Sequence, residues 1–179
     1  MNPFLVELLR KSILIMLKRD ISLAKFSNYR IGGKARYFFE AKNLLELKKA
    51  LIHVKEVNLP IFVLGGGTNI LFSDSGFDGV VIKPNLSFIK KVSKTKLQIG
   101  AGTLMFDILN YTIKEGLSGL EWAGGLPGTL GGAIRGNAGC FGGEIKNVLS
   151  KVNAFKILGN NLKKFTNKEC GFNYRDSIF

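Results

Sequence analysis

The stretch Gly124–Glu144, GGLPGTLGGAIRGNAGCFGGE, decides how this chain is read. Between Gly116 and Gly143 lie half of the chain's 22 glycines, and from Gly124 no acid occurs before Glu144. Glycine loses more conformational freedom on folding than any other residue, so a cluster this dense needs a use, most often close approach of backbone to something else. Gly125, Gly128 and Gly131 recur every three residues, with Pro127 fixing a turn between them. Small residues at that spacing let a turn or helix lie against another backbone or against a flat ring. Asn137 adds an amide donor and acceptor, and Ala138 and Gly139 add no bulk, which suits a planar heterocycle. A set of structural turns is the alternative, although long loops of this kind are seldom only structural.

A second glycine loop, LGGGTNIL at Leu64–Leu71, follows the short apolar run LPIFVLG, which reads as a buried strand. The carboxyl end of such a strand is where α/β proteins place ligands. Gly65, Gly66 and Gly67 let backbone N–H groups form an anion nest, and Thr68 and Asn69 add side-chain donors. Ile70 breaks the dinucleotide pattern G-x-G-x-x-G, and no Walker A loop occurs anywhere in the chain. A tight turn without a ligand is the alternative. The closing NYRDSIF puts Arg175 on the face opposite Tyr174 and Asp176 if the segment is a strand. An arginine projecting at an anionic ligand is a bidentate clamp for carboxylate or phosphate, while an exposed strand arginine is the commoner case.

Around these loops the chain reads as alternating helices and strands. MNPFLVELLRKSILIMLKRD reads as an amphipathic helix: its apolar run Ile13–Leu17 is too short to span a bilayer, and Glu7, Arg10 and Lys11 break a signal-peptide core. After an extended stretch and a Gly32-Gly33 turn, Ala35–Glu40 is a strand. Asn43 then caps a helix to about Glu56, with Glu46 in its third position and Leu44, Leu47, Leu51 and Val54 on one face. GVVIKP is a strand stopped by Pro84, and SFIKKVSKTKLQIGAG is a hairpin turning near Lys94. LMFDILNYTIKEG is a helix with Leu104, Ile108, Tyr111 and Ile113 apolar, stopped by Gly116. NVLSKVNAFKILGNNLKKFT is two strands about a GNN turn, and the chain ends in an apolar strand.

Composition limits the function classes. The 179 residues carry a net charge of +13, with 46% hydrophobic and 22% charged residues, so the chain is neither disordered nor fibrous. The lysines are spread along the chain rather than gathered on one element among aromatics, which argues against a nucleic-acid binder and for a general compositional bias. His53 is the only histidine, which removes a histidine-based metal site and a Ser-His-Asp triad, and it is expected half-buried on its helix. Cys140 and Cys170 form neither a disulfide framework nor a metal spacing, so no metal is expected and a reducing cytoplasm fits both thiols.

FSNYRIGGKARYF, LPIFVLGGGTNILFSDSGFDGVVI, GLEWAGGLPGTLGGAIRGNAGCFGGEI and CGFNYRDSIF occur in one order and register, from about Ile21 to Phe179. Together they resemble the UDP-N-acetylmuramate dehydrogenase family, also called UDP-N-acetylenolpyruvoylglucosamine reductase, flavoenzymes of peptidoglycan precursor synthesis. The resemblance implies an α+β FAD-binding fold of the vanillyl-alcohol-oxidase or p-cresol-methylhydroxylase (PCMH) type, two subdomains with FAD between them. On that reading residues 1–20 are the N-terminal helix, 21–86 the first FAD-binding subdomain and 87–179 the second, incomplete one. Gly65, Gly66, Gly67, Thr68, Asn69, Ile70 and Leu71 would cradle the pyrophosphate of non-covalent FAD. Gly124, Gly125, Pro127, Gly128, Thr129, Gly131 and Gly132 would pass the pyrophosphate and isoalloxazine, with Asn137, Ala138 and Gly139 bordering the ring.

The family reaction implied is hydride transfer from NADPH to FAD and then to an enolpyruvyl double bond. Arg175 matches the family's Tyr-Arg-x-Ser arginine, which holds the substrate carboxylate, and Tyr174 would support that pocket. Ser177 lies inside that motif and is not the family's proton-donating serine. That serine and a glutamate belong to a later substrate-binding domain with no counterpart before Phe179, so the chain reads as C-terminally truncated and inactive alone. A UDP-sugar is the expected substrate, with no nucleic acid, no membrane insertion, a monomeric state and a cytoplasmic location. A non-catalytic FAD- or nucleotide-binding module, another oxidase of the same cofactor fold and a basic nucleic-acid binder are the competing readings.

Overall fold

The computed structural model describes residues 17–57, 59–157 and 161–179. The chain divides into two compact units, Met1–Asn85 with Ile157–Asn160, and Leu86–Lys156 with Asn161–Phe179. The helix expected over residues 1–20 falls outside the described residues as far as residue 16. Its end is corrected: Lys18–Ser22 is a strand, β1, paired antiparallel with Lys34–Ala41, β2.

In the first unit the sheet runs β1-β2-β4-β3, with β3 at Ile61–Val63 and β4 at Phe77–Pro84, and both β2 and β3 pair parallel with β4. Strand β4 is central, and Val80, Val81 and Ile82 are all fully buried, the continuous apolar pattern of a strand covered on both faces. Val81 faces a core of Leu23, Ala35, Phe38 and Leu64, where Phe26 stacks on Phe38 at 4.4 Å. A bulge between Ala35 and Tyr37 shifts the register, which is why Ala35 and Phe38, at odd spacing, share that face.

Helix α1, Leu44–Val57, packs on β2 and β4 through buried Ala50, Leu51 and Val54, and Val80 and Ile82 point to that side by alternation. Asn43 caps it: its Oδ1 accepts from the Glu46 N–H at 2.9 Å. The Glu46 carboxylate reaches back to the N–H of Lys42 at 2.8 Å, one residue earlier than a standard capping box. Leu44, expected on the buried face, is exposed, because it sits in the first turn ahead of the contact with the sheet.

The second unit is a set of short pieces around one core. The hairpin β5–β6 (Ile89–Lys91 and Leu97–Ile99) precedes α2, Met105–Lys114, and α3, Leu130–Arg135. A two-residue hairpin, β7 (Gly139–Cys140) with β8 (Gly143–Glu144), leads into one turn of helix, α4, Ile145–Val148. Strands β9 (Lys151–Phe155) and β10 (Leu162–Thr166) pair antiparallel. Met105, Ile108, Ala123, Ala133, Ile134 and Ile145 form the core. The buried face of α2 is Met105, Ile108 and Thr112; of the apolar residues noted in the sequence, Leu104 and Ile113 are exposed, Ile113 at 75%. The spacing of 105, 108 and 112 is the helical one, and Ile113 lies a full 100° away from Thr112.

The closing segment is not the expected strand. Asn173 and Asp176 bridge antiparallel across a two-residue turn made by Tyr174 and Arg175, with Arg175 at φ +57°. The alternation argument for Arg175 therefore falls, because its neighbours sit on a reversal rather than along an extended chain.

Gly67 has φ +67°, and a Cβ there would run into the Phe26 carbonyl oxygen. Gly67→Ala is therefore expected to destabilise the chain by about 3 kcal/mol, the sum of left-handed strain and steric displacement. Urea unfolding followed by far-UV circular dichroism checks this.

Candidate flavin site

The GGGTN loop leaves the end of β3 and is fixed from below. The Asn28 N–H donates to the Gly67 carbonyl at 3.0 Å, and the Ser27 hydroxyl donates to the Ile70 carbonyl at 3.1 Å. Gly67 is buried, Gly65, Thr68 and Ile70 are half-buried, and Gly66, Asn69 and Leu71 are exposed. The loop thus has a packed underside and an open upper side made of Gly66, Asn69 and the apolar Leu71. An open hollow of about 730 Å³ adjoins its support, lined by Ala24, Lys25, Ser27, Asn28 and Arg30. Two cations there favour an anion, a signal the glycine pattern alone did not give.

In the second unit the glycines of Gly124–Glu144 fall into two groups. Some answer to the protein's own packing. A Cβ on Gly131 would sit 3.1 Å from Ala101, and one on Gly143 would strike the Trp122 ring. One on Gly139 would press into β8, and Gly125 and Gly128 have φ of +78° and +101°. Gly124, Gly132 and Gly136 answer to neither: their φ values are ordinary and the nearest atoms to a Cβ lie at 3.4, 3.6 and 3.6 Å, and of the three Gly124 and Gly132 are exposed. Gly132 sits inside α3, where glycine costs about 1 kcal/mol against alanine.

Beside Gly132, Thr129 is 7% exposed, and its hydroxyl finds no hydrogen-bond partner among the described residues. A buried unpaired hydroxyl next to backbone left bare is a surface shaped for a group the chain does not itself supply. The first N–H donors of α3 are not part of it, because Leu130 and Gly131 donate to the Thr103 and Ala101 carbonyls at 2.9 and 2.8 Å. Pro127 is exposed on the same segment, and Ala138 and Gly139 are half-buried.

Asn137 is placed differently from the expectation that its amide faces a ring. It is 1% exposed, and both its N–H donors are committed, to Glu144 Oε2 at 2.7 Å and to the Asn173 carbonyl at 3.0 Å. Its Oδ1 accepts from the Lys146 N–H at 3.1 Å. The turn it holds carries Tyr174, 85% exposed, and Arg175, whose guanidinium lies 5.7 Å from the Tyr174 ring centre. Arg135 pairs loosely with Asp176 at 3.8 Å and Lys146 pairs with Glu144 at 2.8 Å, while no carboxylate pairs with Arg175 among the described residues. A non-glycine residue at φ +57° costs about 1–2 kcal/mol, so the turn is held against its own preference. The outlier points to a function for the arginine it presents.

Glu144, Lys146, Asn173 and the anchoring role of Ser177 were not singled out from sequence. The only available signal was Glu144 with Asn147 three residues on, a relative of the capping box that does form at the start of α4. Cys170 is buried, which pushes its thiol up, and its Sγ donates to the Thr166 carbonyl at 3.2 Å, so it is structural. The side chain of His53 lies outside the described residues. Among the described residues no cluster of histidine, cysteine or carboxylate suits a metal ion, and no helix is long and apolar enough to cross a membrane.

A two-unit α+β chain with an anion-suited glycine loop and a bare helix face has the parts of a flavoprotein. Residues 35–159 match the family model of the FAD binding domain, and the chain belongs to that family, with the FAD-binding fold of the PCMH type. Its relatives narrow this further. It is 39% identical to the UDP-N-acetylenolpyruvoylglucosamine reductase of Carboxydothermus hydrogenoformans over 98% of this chain and 58% of that protein. To the same reductase of Rickettsia conorii it is 38% identical over 89% of this chain and 54% of that protein. The crystal structure of the Thermus caldophilus reductase superposes with a TM-score of 0.77 at 30% identity, covering 91% of this chain and 57% of that one. The chain therefore spans about half the length of the curated relatives it matches.

Two outcomes are expected at this site. Gly132→Ala fills open space on an exposed helix face, so it raises stability by up to about 1 kcal/mol while weakening FAD binding, read by thermal unfolding and flavin titration. The Glu144 carboxyl is held below the usual carboxylate range by the Lys146 ammonium first and then by the Asn137 amide. Its contribution is complete above the unfolded-state pKa of about 4.3 and is lost as pH falls through the lower folded value. The melting temperatures of the parent chain and Glu144→Gln should thus differ at pH 7 and draw together as the pH falls below the usual carboxylate range.

Proposed function

We propose that this chain works in the NADPH-dependent reduction of UDP-N-acetylglucosamine enolpyruvate to UDP-N-acetylmuramate, a step of peptidoglycan precursor synthesis and so of cell shape and division. Its share is to hold FAD non-covalently through Gly65–Leu71, Gly124–Gly132, Ala138 and Gly139, and to present Arg175 to the substrate carboxylate. The proposed setting is a cytoplasmic monomer, with subdomains at 21–86 and 87–179.

The observation that carries this reading is Arg175, without a carboxylate partner among the described residues and fixed in a strained turn on the same unit as the buried Thr129 hydroxyl and the bare Gly132. Bound FAD supplies the hydride-carrying chemistry. The chain's own residues do the rest. The GGGTN loop offers backbone N–H groups to phosphate without side-chain obstruction. Thr129 offers its hydroxyl to the cofactor. The Arg175 guanidinium matches a carboxylate in two parallel hydrogen bonds and stabilises negative charge that builds on it during reduction. Tyr174 lies beside that guanidinium and limits its directions.

The test is titration of the purified chain with FAD, followed by the visible flavin spectrum and by fluorescence of Trp122, the only tryptophan. Saturable binding with a resolved flavin band is expected, and folded protein that ignores FAD would overturn the reading. Arg175→Ala should leave FAD affinity within about twofold and lower affinity for the enolpyruvyl substrate by about thirtyfold, as for loss of one charged partner worth about 2 kcal/mol.

A further inference from the structure

We infer that Asn137 and Ser177 are positioning residues for Arg175, acting on the reaction through the turn rather than by touching cofactor or substrate. The inference rests on the reading of Arg175 given above. The turn Asn173–Asp176 has two feet, and each is tied to the end of α3 by a buried side chain. At one foot the Asn137 amide donates to the Asn173 carbonyl at 3.0 Å. At the other the Ser177 hydroxyl, on a residue 8% exposed, donates to the Arg135 carbonyl at 2.8 Å. Asn137 follows α3 by two residues and Arg135 ends it, so both ties meet the same short stretch.

The ties have no competing use. The second N–H of Asn137 is spent on Glu144, and its burial leaves no approach for a ligand. The Ser177 hydroxyl is occupied by Arg135 and accepts the Phe179 N–H at 3.4 Å, which also excludes it as a proton donor to substrate. The residue types are constrained. Asparagine tolerates the positive φ of 37° found at position 137 and brings two donors on a short arm. Aspartate would set a second carboxylate against Glu144. Helix α3 thereby links two things directly: Thr129 is its N-cap and Gly132 lies on its exposed face, and its far end fixes the direction of Arg175. A hydrogen-bonded end of a helix is a stiffer support for a strained turn than a free loop, and precision of this kind is what orientation in a site requires.

The test uses the full chain with bound FAD and the variants Asn137→Ala, Ser177→Ala and Arg175→Ala. Amide hydrogen exchange at Asn173 and Asp176 should accelerate tenfold or more in the first two variants. Exchange in β9–β10 and FAD affinity should change less than about threefold. Affinity for the enolpyruvyl substrate should fall about tenfold in each, and that fall should vanish in the Arg175→Ala background, the mark of action through the arginine. Unchanged exchange at the turn, or a fall in affinity that persists without Arg175, overturns the inference. If Arg175→Ala itself leaves substrate affinity unchanged, the role given to Arg175 is what fails. The ties are then judged by exchange alone. Should Asn137→Ala not fold, Ser177→Ala carries the test, with Ser177→Thr, which keeps the hydroxyl, expected to restore slow exchange.

Discussion

The amide of Asn137 is the constraint on which the second unit depends. One buried side chain joins the residue after α3, the hairpin that leads into α4, and the turn near the last residues. The apolar core of this unit takes only Ala133 and Ile134 as buried apolar side chains from the segment between Gly124 and Gly143, so much of that segment is held by hydrogen bonds instead. Where backbone comes close to backbone, directional bonds replace contact area as the source of order. A network of this kind is worth having only when every member is satisfied, and here both donors and the acceptor find partners within 3.1 Å.

How far the sequence could be read depended on where periodicity existed. The Asn43 cap with Glu46 and the hairpin near Lys94 were legible because local pattern and tertiary packing ask for the same residues, whereas the strand before the GGGTN loop, expected to be buried, forms at the sheet edge with Val63 48% exposed, because it pairs on one side only. The buried face of α2 was not legible from polarity alone, because Ile113 and Leu104 are apolar yet exposed, and buried Thr112, whose hydroxyl bonds back to the Leu109 carbonyl, is polar. The end of the chain was misread for a different reason. A positive φ at an arginine leaves no trace in composition, so NYRDS resembles a strand until the Asn173–Asp176 bridge is seen.

The glycines show the same limit within the site. From sequence all are equal, and a spacing of three suggested one common purpose. In space, Gly67, Gly131, Gly139 and Gly143 are required by neighbouring protein, Gly125, Gly128 and Gly142 by their backbone angles, while Gly124, Gly132 and Gly136 are left free of both demands. The part of the pattern that bears on a ligand is therefore the smaller part. The motif resemblance named the family correctly, whereas the amide of Asn137, expected to face a ring, is bonded inside the fold.

Strand β3 is three residues long and lies at the margin of its sheet. An edge strand leaves one side of its backbone unpaired, and a long flat one is a template for another chain. Carrying the GGGTN loop on so short an edge keeps that template to a few groups. The sheet can thus hold an open, glycine-rich loop at its border without also offering a surface on which copies of the chain could zip together.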